Sequence, residues 1–96
     1  MPALIVLPSP SESLKQKVSD YFDDYILLEL DPDTENFYKE ANKAVELAKT
    51  VDNNVFLICY GKPEFNALLS AKLAYTKPHF YIAFWTGLRF KILRVP

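Results

Sequence analysis

The chain has 96 residues, of which 50% are hydrophobic and 15% aromatic, a composition that suits one small domain with its own core. Its formal net charge of -1 argues against a surface built to bind duplex nucleic acid, so any anion site must be local. A single cysteine and a single histidine exclude an internal disulfide and a transition-metal site built from these residues. We therefore expect one domain over residues 1–96, without metal or cofactor, in a reducing cytoplasm.

The first predicted element is a buried strand at Ala3–Leu7, an all-apolar run of the kind that parallel sheets bury on both faces. This run lacks a basic leader and is cut by Pro8, which argues against a signal peptide or a membrane span. A helix is predicted next, with Ser9 as its N-cap, Pro10 at its first position and Glu12 completing a capping box. Its apolar face is marked by residues at helical spacing: Leu14, Val18, Tyr21, Phe22 and Tyr25.

An acidic segment separates the second predicted strand from the second predicted helix. Residues 25–30 have the apolar pattern of a buried strand, and residues 31–34 then offer several oxygens for a helix N-cap. Asp31 and Asp33 have an alternative interpretation as a Mg²⁺ site. Hard cations usually recruit more oxygen ligands than this segment provides, so helix initiation is favoured. The apolar stripe of the helix consists of Phe37, Ala41, Ala44, Val45 and Ala48.

The junction at Gly61 is the most informative part of the sequence. A buried strand at residues 55–60 breaks at this glycine, and Pro63 opens a third helix immediately afterwards. Such a junction points backbone N–H groups and a helix N-terminus beyond the carboxyl end of the strand, where they favour anions such as phosphate. The inward stripe of this helix consists of Phe65, Leu68, Leu69 and Leu73.

The C-terminal segment predicts a strand followed by a hairpin. A fourth strand spans Phe80–Trp85, and Thr86 with Gly87 turns the chain into a strand at residues 88–95. In this last strand apolar residues alternate with charged ones, which suits an antiparallel edge strand with one face in water. The segment has more aromatic residues than a hairpin should expose: Phe80, Tyr81, Phe84, Trp85 and Phe90. We therefore expect a homodimer through the C-terminal strands or this aromatic face.

This order of elements, β-α-β-α-β-α-β with a C-terminal antiparallel strand, predicts an α/β fold with a small, doubly wound, mostly parallel, Rossmann-like sheet. In such a sheet ligands bind past the carboxyl ends of the strands, at the point where the strand order reverses. If the first and third strands flank that point, Asp31 and Asp33 lie one strand farther out. The residues that meet there or lie nearby are Ser9, Ser11, Gly61, Lys62, Thr86 and Arg89.

Each candidate residue also has a purely structural interpretation. Capping is favoured for Ser9, whereas capping and phosphate binding stay equally open for Ser11. The turn at Lys62 is not a P-loop, because the glycine-rich run and the following Ser or Thr are missing. Lys62 is therefore either a phosphate ligand or a solvated turn lysine. We expect Cys59 to be a small buried residue of the third strand, and His79 to lie at the surface.

Three features together resemble a known family: the turn at residues 7–11, the Gly61–Lys62 turn, and a fourth strand that ends in residues 86–89 with Thr-Gly-Leu-Arg. Their layout is similar to that of the small Rossmann-like CRISPR ring nucleases, which are related in architecture to the CARF domains that bind cyclic oligoadenylate. The likeness covers most of the chain and depends on element order and turn positions.

The resemblance implies a homodimer that holds a cyclic oligoadenylate across its two-fold axis. A ribose 2′-hydroxyl would attack the adjacent phosphorus in line without a metal. Ser11 would orient the ribose and phosphate, and Lys62, with Arg89, would counter the developing charge. Two alternatives stay open: a sensor that binds a nucleotide or small anion without chemistry, and an interaction module without a functional crevice.

Overall fold

The computed structural model describes residues 2–51, 54–77 and 79–95, and this part of the chain forms five strands and three helices. All predicted elements are present, although β2 ends one residue early, β3 ends two residues early and β5 begins two residues late. In chain order the elements are β1 (Ala3–Leu7), α1 (Glu12–Tyr21), β2 (Tyr25–Glu29), α2 (Phe37–Thr50), β3 (Val55–Ile58), α3 (Pro63–Thr76), β4 (Phe80–Trp85) and β5 (Phe90–Val95).

The five strands form one sheet in the order β2-β1-β3-β4-β5. The first four strands are parallel, and β5 pairs antiparallel with β4. The predicted α/β class, with a mostly parallel sheet and a C-terminal antiparallel strand, is confirmed. Val6 of β1 has Leu28 of β2 on one side and Leu57 of β3 on the other. Since the chain leaves β1 first toward β2 and later toward β3, the strand order reverses between β1 and β3, as predicted.

Helices pack on both faces of the sheet because alternate residues of β1 point in opposite directions. Leu4 and Val6 lie in a core with α2 and α3, and we call this side the α2–α3 face. Ile5 and Leu7 lie in a second core with Leu14 and Val18 of α1, on the α1 face. These four side chains of β1 are completely buried. The predicted doubly wound arrangement is therefore present.

The α1 face carries one helix within the described residues, and aromatic rings cover much of the remainder. Phe56 of β3 and Tyr81 of β4 stack with their ring centroids 4.8 Å apart. Phe22, just after α1, contacts Phe56 edge-on at 5.1 Å. Of the C-terminal aromatic residues, Phe80 and Phe90 are buried, and the other three are partly exposed. The described helices include none that is both long enough and apolar enough to span a membrane.

The first two helices begin later than the sequence predicted, whereas α3 begins at Pro63 as expected. Ser11, and not Ser9, caps α1: its backbone is extended, and its Oγ accepts a hydrogen bond from the N–H of Leu14 at 3.2 Å. Pro10 therefore precedes the helix, and Glu12 is its first residue, too early to complete a capping box. The expectation that residues 31–34 cap α2 is also wrong, because the side chain of Asn36 performs this role.

Candidate ligand-binding site at the switch point

The loops that follow β1 and β3 touch each other at the switch point. Gly61 has a φ of +82°, a conformation that residues with side chains rarely adopt. A Cβ atom at this position would lie only 2.8 Å from the Cβ of Ser9. The structure thus brings Ser9 and Gly61 together, as the sequence predicted. Only glycine fits this contact without displacing the β1–α1 loop.

Lys62 is engaged by an aspartate that the sequence placed one strand away. Its Nζ lies 2.5 Å from Oδ1 of Asp33, and this hydrogen bond raises the pKa of Lys62. The backbone N–H of Asp33 donates a hydrogen bond to Oδ1 of Asp31 at 3.0 Å, which fixes the position of Asp33. The expectation that Asp33 lies apart from Lys62 and serves mainly to initiate a helix is therefore wrong. The Leu30 N–H donates to the Leu7 carbonyl at 2.8 Å, so the chain stays beside β1 as it leaves β2.

A buried carboxylate anchors the same loop to α2. Glu40 is only 7% exposed, and its Oε1 accepts a hydrogen bond from the N–H of Asp31 at 2.9 Å. Its Oε2 lies 2.9 Å from Nζ of Lys43. Burial tends to raise the pKa of Glu40, but the hydrogen bonds from Lys43 and from Asp31 outweigh it and leave the pKa below its usual value. Glu40 therefore stays ionised at neutral pH and fixes the start of the acidic loop.

A crevice of about 350 Å³ opens beside the N-terminus of α1, at the carboxyl ends of the strands. We call it the switch-point crevice. Its walls are formed by Ser11, Ser13, Leu14, Cys59, Tyr60 and Trp85. Of the six predicted site residues, all of which the structure describes, Ser11 alone lines it. The other five, Ser9, Gly61, Lys62, Thr86 and Arg89, lie outside its walls.

Cys59 and Tyr60 reach the crevice because β3 ends at Ile58. The N–H of Cys59 still donates to the carbonyl of Ala83 at 2.8 Å, but its thiol is exposed, so the prediction of a buried cysteine is wrong. His79 is exposed, as expected. The side-chain amide of Asn66 donates to the carbonyl of Tyr60 at 2.7 Å and holds this segment out of the sheet. Residues just beyond the end of β3, rather than the glycine turn itself, thus form this part of the crevice wall.

A smaller groove of about 150 Å³ shares Trp85 with the crevice. It lies between the second half of α1 and the β4–β5 turn, and Lys17, Asp20, Tyr21, Trp85, Leu88 and Arg89 line it. Thr86 stabilises this turn: its Oγ1 donates to the carbonyl of Arg89 at 3.0 Å and its N–H donates to the same oxygen at 2.9 Å. Thr86 therefore has a structural role in the hairpin, while Arg89 is presented in the groove.

No known protein family, curated protein or solved structure was found to match this chain. Its site must therefore be interpreted from geometry. In the described ranges, no three His, Cys, Asp or Glu residues are grouped so that they could hold a metal ion. The crevice instead offers two aromatic rings, three hydroxyl groups and a thiol beside a helix N-terminus. This set suits a planar, polar ligand better than a bare metal or a purely apolar molecule.

Proposed function

We propose that this protein binds a nucleotide in the switch-point crevice. The crevice itself carries the proposal, because it lies where open α/β sheets bind ligands and combines rings with hydrogen-bonding groups. Its volume of about 350 Å³ falls at the lower end of the range of small-molecule sites, which suits one nucleotide unit. Trp85 and Tyr60 would contact the base, and Ser11 and Ser13 would hydrogen-bond to the sugar or phosphate.

Binding without catalysis is the form of this proposal that the geometry supports best. Lys62, the residue expected to counter charge on a phosphorane, is paired with Asp33 and does not line the crevice. The Ser11 hydroxyl already accepts the capping hydrogen bond from the Leu14 N–H. Neither side chain is poised for proton transfer or charge stabilisation at a ligand in the crevice.

A metal-independent ring nuclease that acts on cyclic oligoadenylate in CRISPR signalling is the second candidate. The contact between Ser9 and Gly61 supports it, because it places Lys62 directly after the turn at the switch point. In this mechanism the 2′-oxygen of a ribose would bond to the adjacent phosphorus while the P–O5′ bond breaks. The hydroxyl proton would pass through solvent to the departing 5′-oxygen, and Lys62 would exchange Asp33 for the phosphate. A homodimer would hold the ring across its two-fold axis.

We place the protein in a reducing cytoplasm, where the exposed thiol of Cys59 would remain unoxidised.

Titration with AMP, ATP and cyclic tetra-adenylate tests the proposal. At least one of them should bind and raise the melting temperature, whereas sodium chloride at the same ionic strength should not. Trp85→Ala should weaken binding about tenfold, the usual loss of one base-stacking ring. Tyr75→Ala is the matched control, because Tyr75 is an exposed ring on α3, outside the crevice. Circular dichroism would verify that both variants are folded.

The two forms of the proposal differ in their products. Cyclic tetra-adenylate incubated with the protein in EDTA should remain intact if the protein only binds it. Linear products ending in a 2′,3′-cyclic phosphate, lost in Lys62→Ala, would establish the ring nuclease. If none of the three nucleotides binds, nucleotide binding is wrong, and an interaction module becomes the better interpretation.

A further inference from the structure

We infer that the groove beyond Trp85 is a second subsite, so that the preferred ligand is an oligonucleotide of at least two nucleotides. This inference rests on the proposed nucleotide binding in the switch-point crevice. We call the second subsite the Lys17–Arg89 groove. The two cavities share Trp85, which forms a wall of each. A ligand that places one base against this ring in the crevice can therefore continue into the groove without leaving the surface.

Lys17 lies at the boundary of the two cavities. Its Nζ donates to Oγ of Ser13, a crevice residue, at 2.7 Å. The same ammonium lies 5.1 Å from the ring centroid of Trp85. These contacts hold the positive charge between the crevice and the groove, where the phosphate that joins two nucleotides would pass. An ammonium held by a neutral hydroxyl and a ring keeps its full charge available for that phosphate.

The groove has an excess of positive charge. Lys17 and Arg89 line it together with one acidic residue, Asp20. Neither cation forms an ion pair with any residue in the described ranges. Oδ1 of Asp20 accepts a hydrogen bond from Nε2 of Gln16 at 3.0 Å, so this carboxylate is partly engaged along α1. On a chain of net charge -1, an anion site must be local, and these two cations meet that condition.

The groove also offers surface for a second base. Tyr21 is 50% exposed, and its ring is held edge-on against Phe90 with the centroids 5.6 Å apart. Leu88, at the tip of the hairpin, is 91% exposed and adds an apolar contact. Rings interleaved with cations are typical of sites for single-stranded nucleic acid, in which bases stack and phosphates meet Lys or Arg. A mononucleotide with a longer phosphate chain would use the cations and leave Tyr21 and Leu88 uncovered.

The test compares AMP, ATP and the 5′-phosphorylated diadenylate pApA by calorimetry. The diadenylate should bind at least about tenfold more tightly than either mononucleotide, since one more stacked base commonly contributes this much. Arg89→Gln and Tyr21→Ala should each weaken pApA by about three- to tenfold and change AMP less than twofold. Lys17→Gln and Arg89→Gln should each reduce the salt dependence of pApA binding by about 0.7 in the log–log slope.

Matched controls come from the same chain. Lys72 lies over the ring of Tyr38 at 6.0 Å but on the α2–α3 side, and Arg94 is an exposed arginine of β5, so Lys72→Gln and Arg94→Gln should bind pApA as wild type does. Equal affinity for AMP and pApA would overturn the second subsite and leave nucleotide binding intact. If ATP binds as tightly as pApA and Tyr21→Ala changes neither affinity, the ligand class is wrong. If no nucleotide binds, both proposals fall together.

Discussion

At the scale of single residues, two separate constraints require glycine at position 61. Its φ of +82° strains any other residue, and an added Cβ would lie 2.8 Å from the Cβ of Ser9. Gly61→Ala should therefore lower the free energy of unfolding by about 2 to 4 kcal/mol, from backbone strain and from overpacking. Urea denaturation measures this change.

Gly87→Ala provides the control, because Gly87 also has a positive φ, of +103°, but nothing lies within 4 Å of an added Cβ. The Gly87→Ala variant should lose only the backbone-strain part of the free energy of unfolding, about 1 to 3 kcal/mol. The double variant Ser9→Gly/Gly61→Ala should recover the difference between the two single glycine variants. Equal losses at both glycines would show that the contact between the two loops has no energetic importance.

The residues that cap the helices could not be chosen from the sequence alone, because several capping residues stand close together before α1 and α2. Tertiary contacts decide among them. Ser9 lies against Gly61, and Ser11 caps α1. Asp33 pairs with Lys62, and Asn36 caps α2. The proximity of Ser9 and Gly61 was predictable, since it follows from strand order. The engagement of Lys62 was not, because it depends on the path of an irregular loop.

At the scale of elements, Glu40 links α2 to the loop that follows β2 and should make folding stability depend on pH. Its pKa is lower in the folded protein than in the unfolded chain, where it is near 4.5. The stabilisation is therefore fully present above about pH 5 and is lost as the pH falls through the folded pKa, where Glu40 becomes protonated. Urea denaturation at pH 7 and at pH 3.5 would measure this loss.

Glu40→Gln should show a smaller decrease between the two pH values than wild type. Glutamine can still accept the hydrogen bond from the Asp31 N–H but cannot pair with Lys43. Glu46→Gln is the control, since Glu46 is an exposed glutamate of α2 that pairs with Lys49 at 3.4 Å. An equal pH dependence in wild type and Glu40→Gln would contradict the link between this carboxylate and stability.

Element type and order were predictable because the apolar period changes cleanly between strands and helices, but one strand end was not. Cys59 and Tyr60 are apolar enough to continue β3 in a sequence pattern. In the structure Ile58 is the last residue that pairs with β4 in the sheet register, opposite Ala83. The backbone N–H and carbonyl of Tyr60 instead form hydrogen bonds with the side-chain amide of Asn66. This two-residue difference explains why the walls of the crevice were missed: it turns an expected buried cysteine into an exposed one.

At the scale of the whole molecule, the α1 face differs from the opposite face in what covers it. Two helices pack on the α2–α3 face, whereas the α1 face has one helix in the part of the chain that the structure describes. The stacked rings of Phe56 and Tyr81 remain partly exposed there, and Ile92 of β5, on the same face, is also only partly buried. Partly covered aromatic surface of this kind on a small domain favours a protein partner.

We therefore expect a homodimer at tens of micromolar, formed through the C-terminal strands or the α1 face, and light scattering at several concentrations would measure it. Ile92→Lys and Leu93→Lys separate the two interfaces, because these neighbours point to opposite faces of β5, and Leu93, 47% exposed, lies on the α2–α3 side. If the α1 face forms the dimer, Ile92→Lys should be a folded monomer and Leu93→Lys should remain a dimer, since a buried lysine without a partner opposes association. If both variants remain dimers, the interface lies instead at the backbone edge of β5, where changes of side chain have less effect. A monomeric wild-type protein in this concentration range would reject the homodimer, and with it the ring nuclease that requires a two-fold axis.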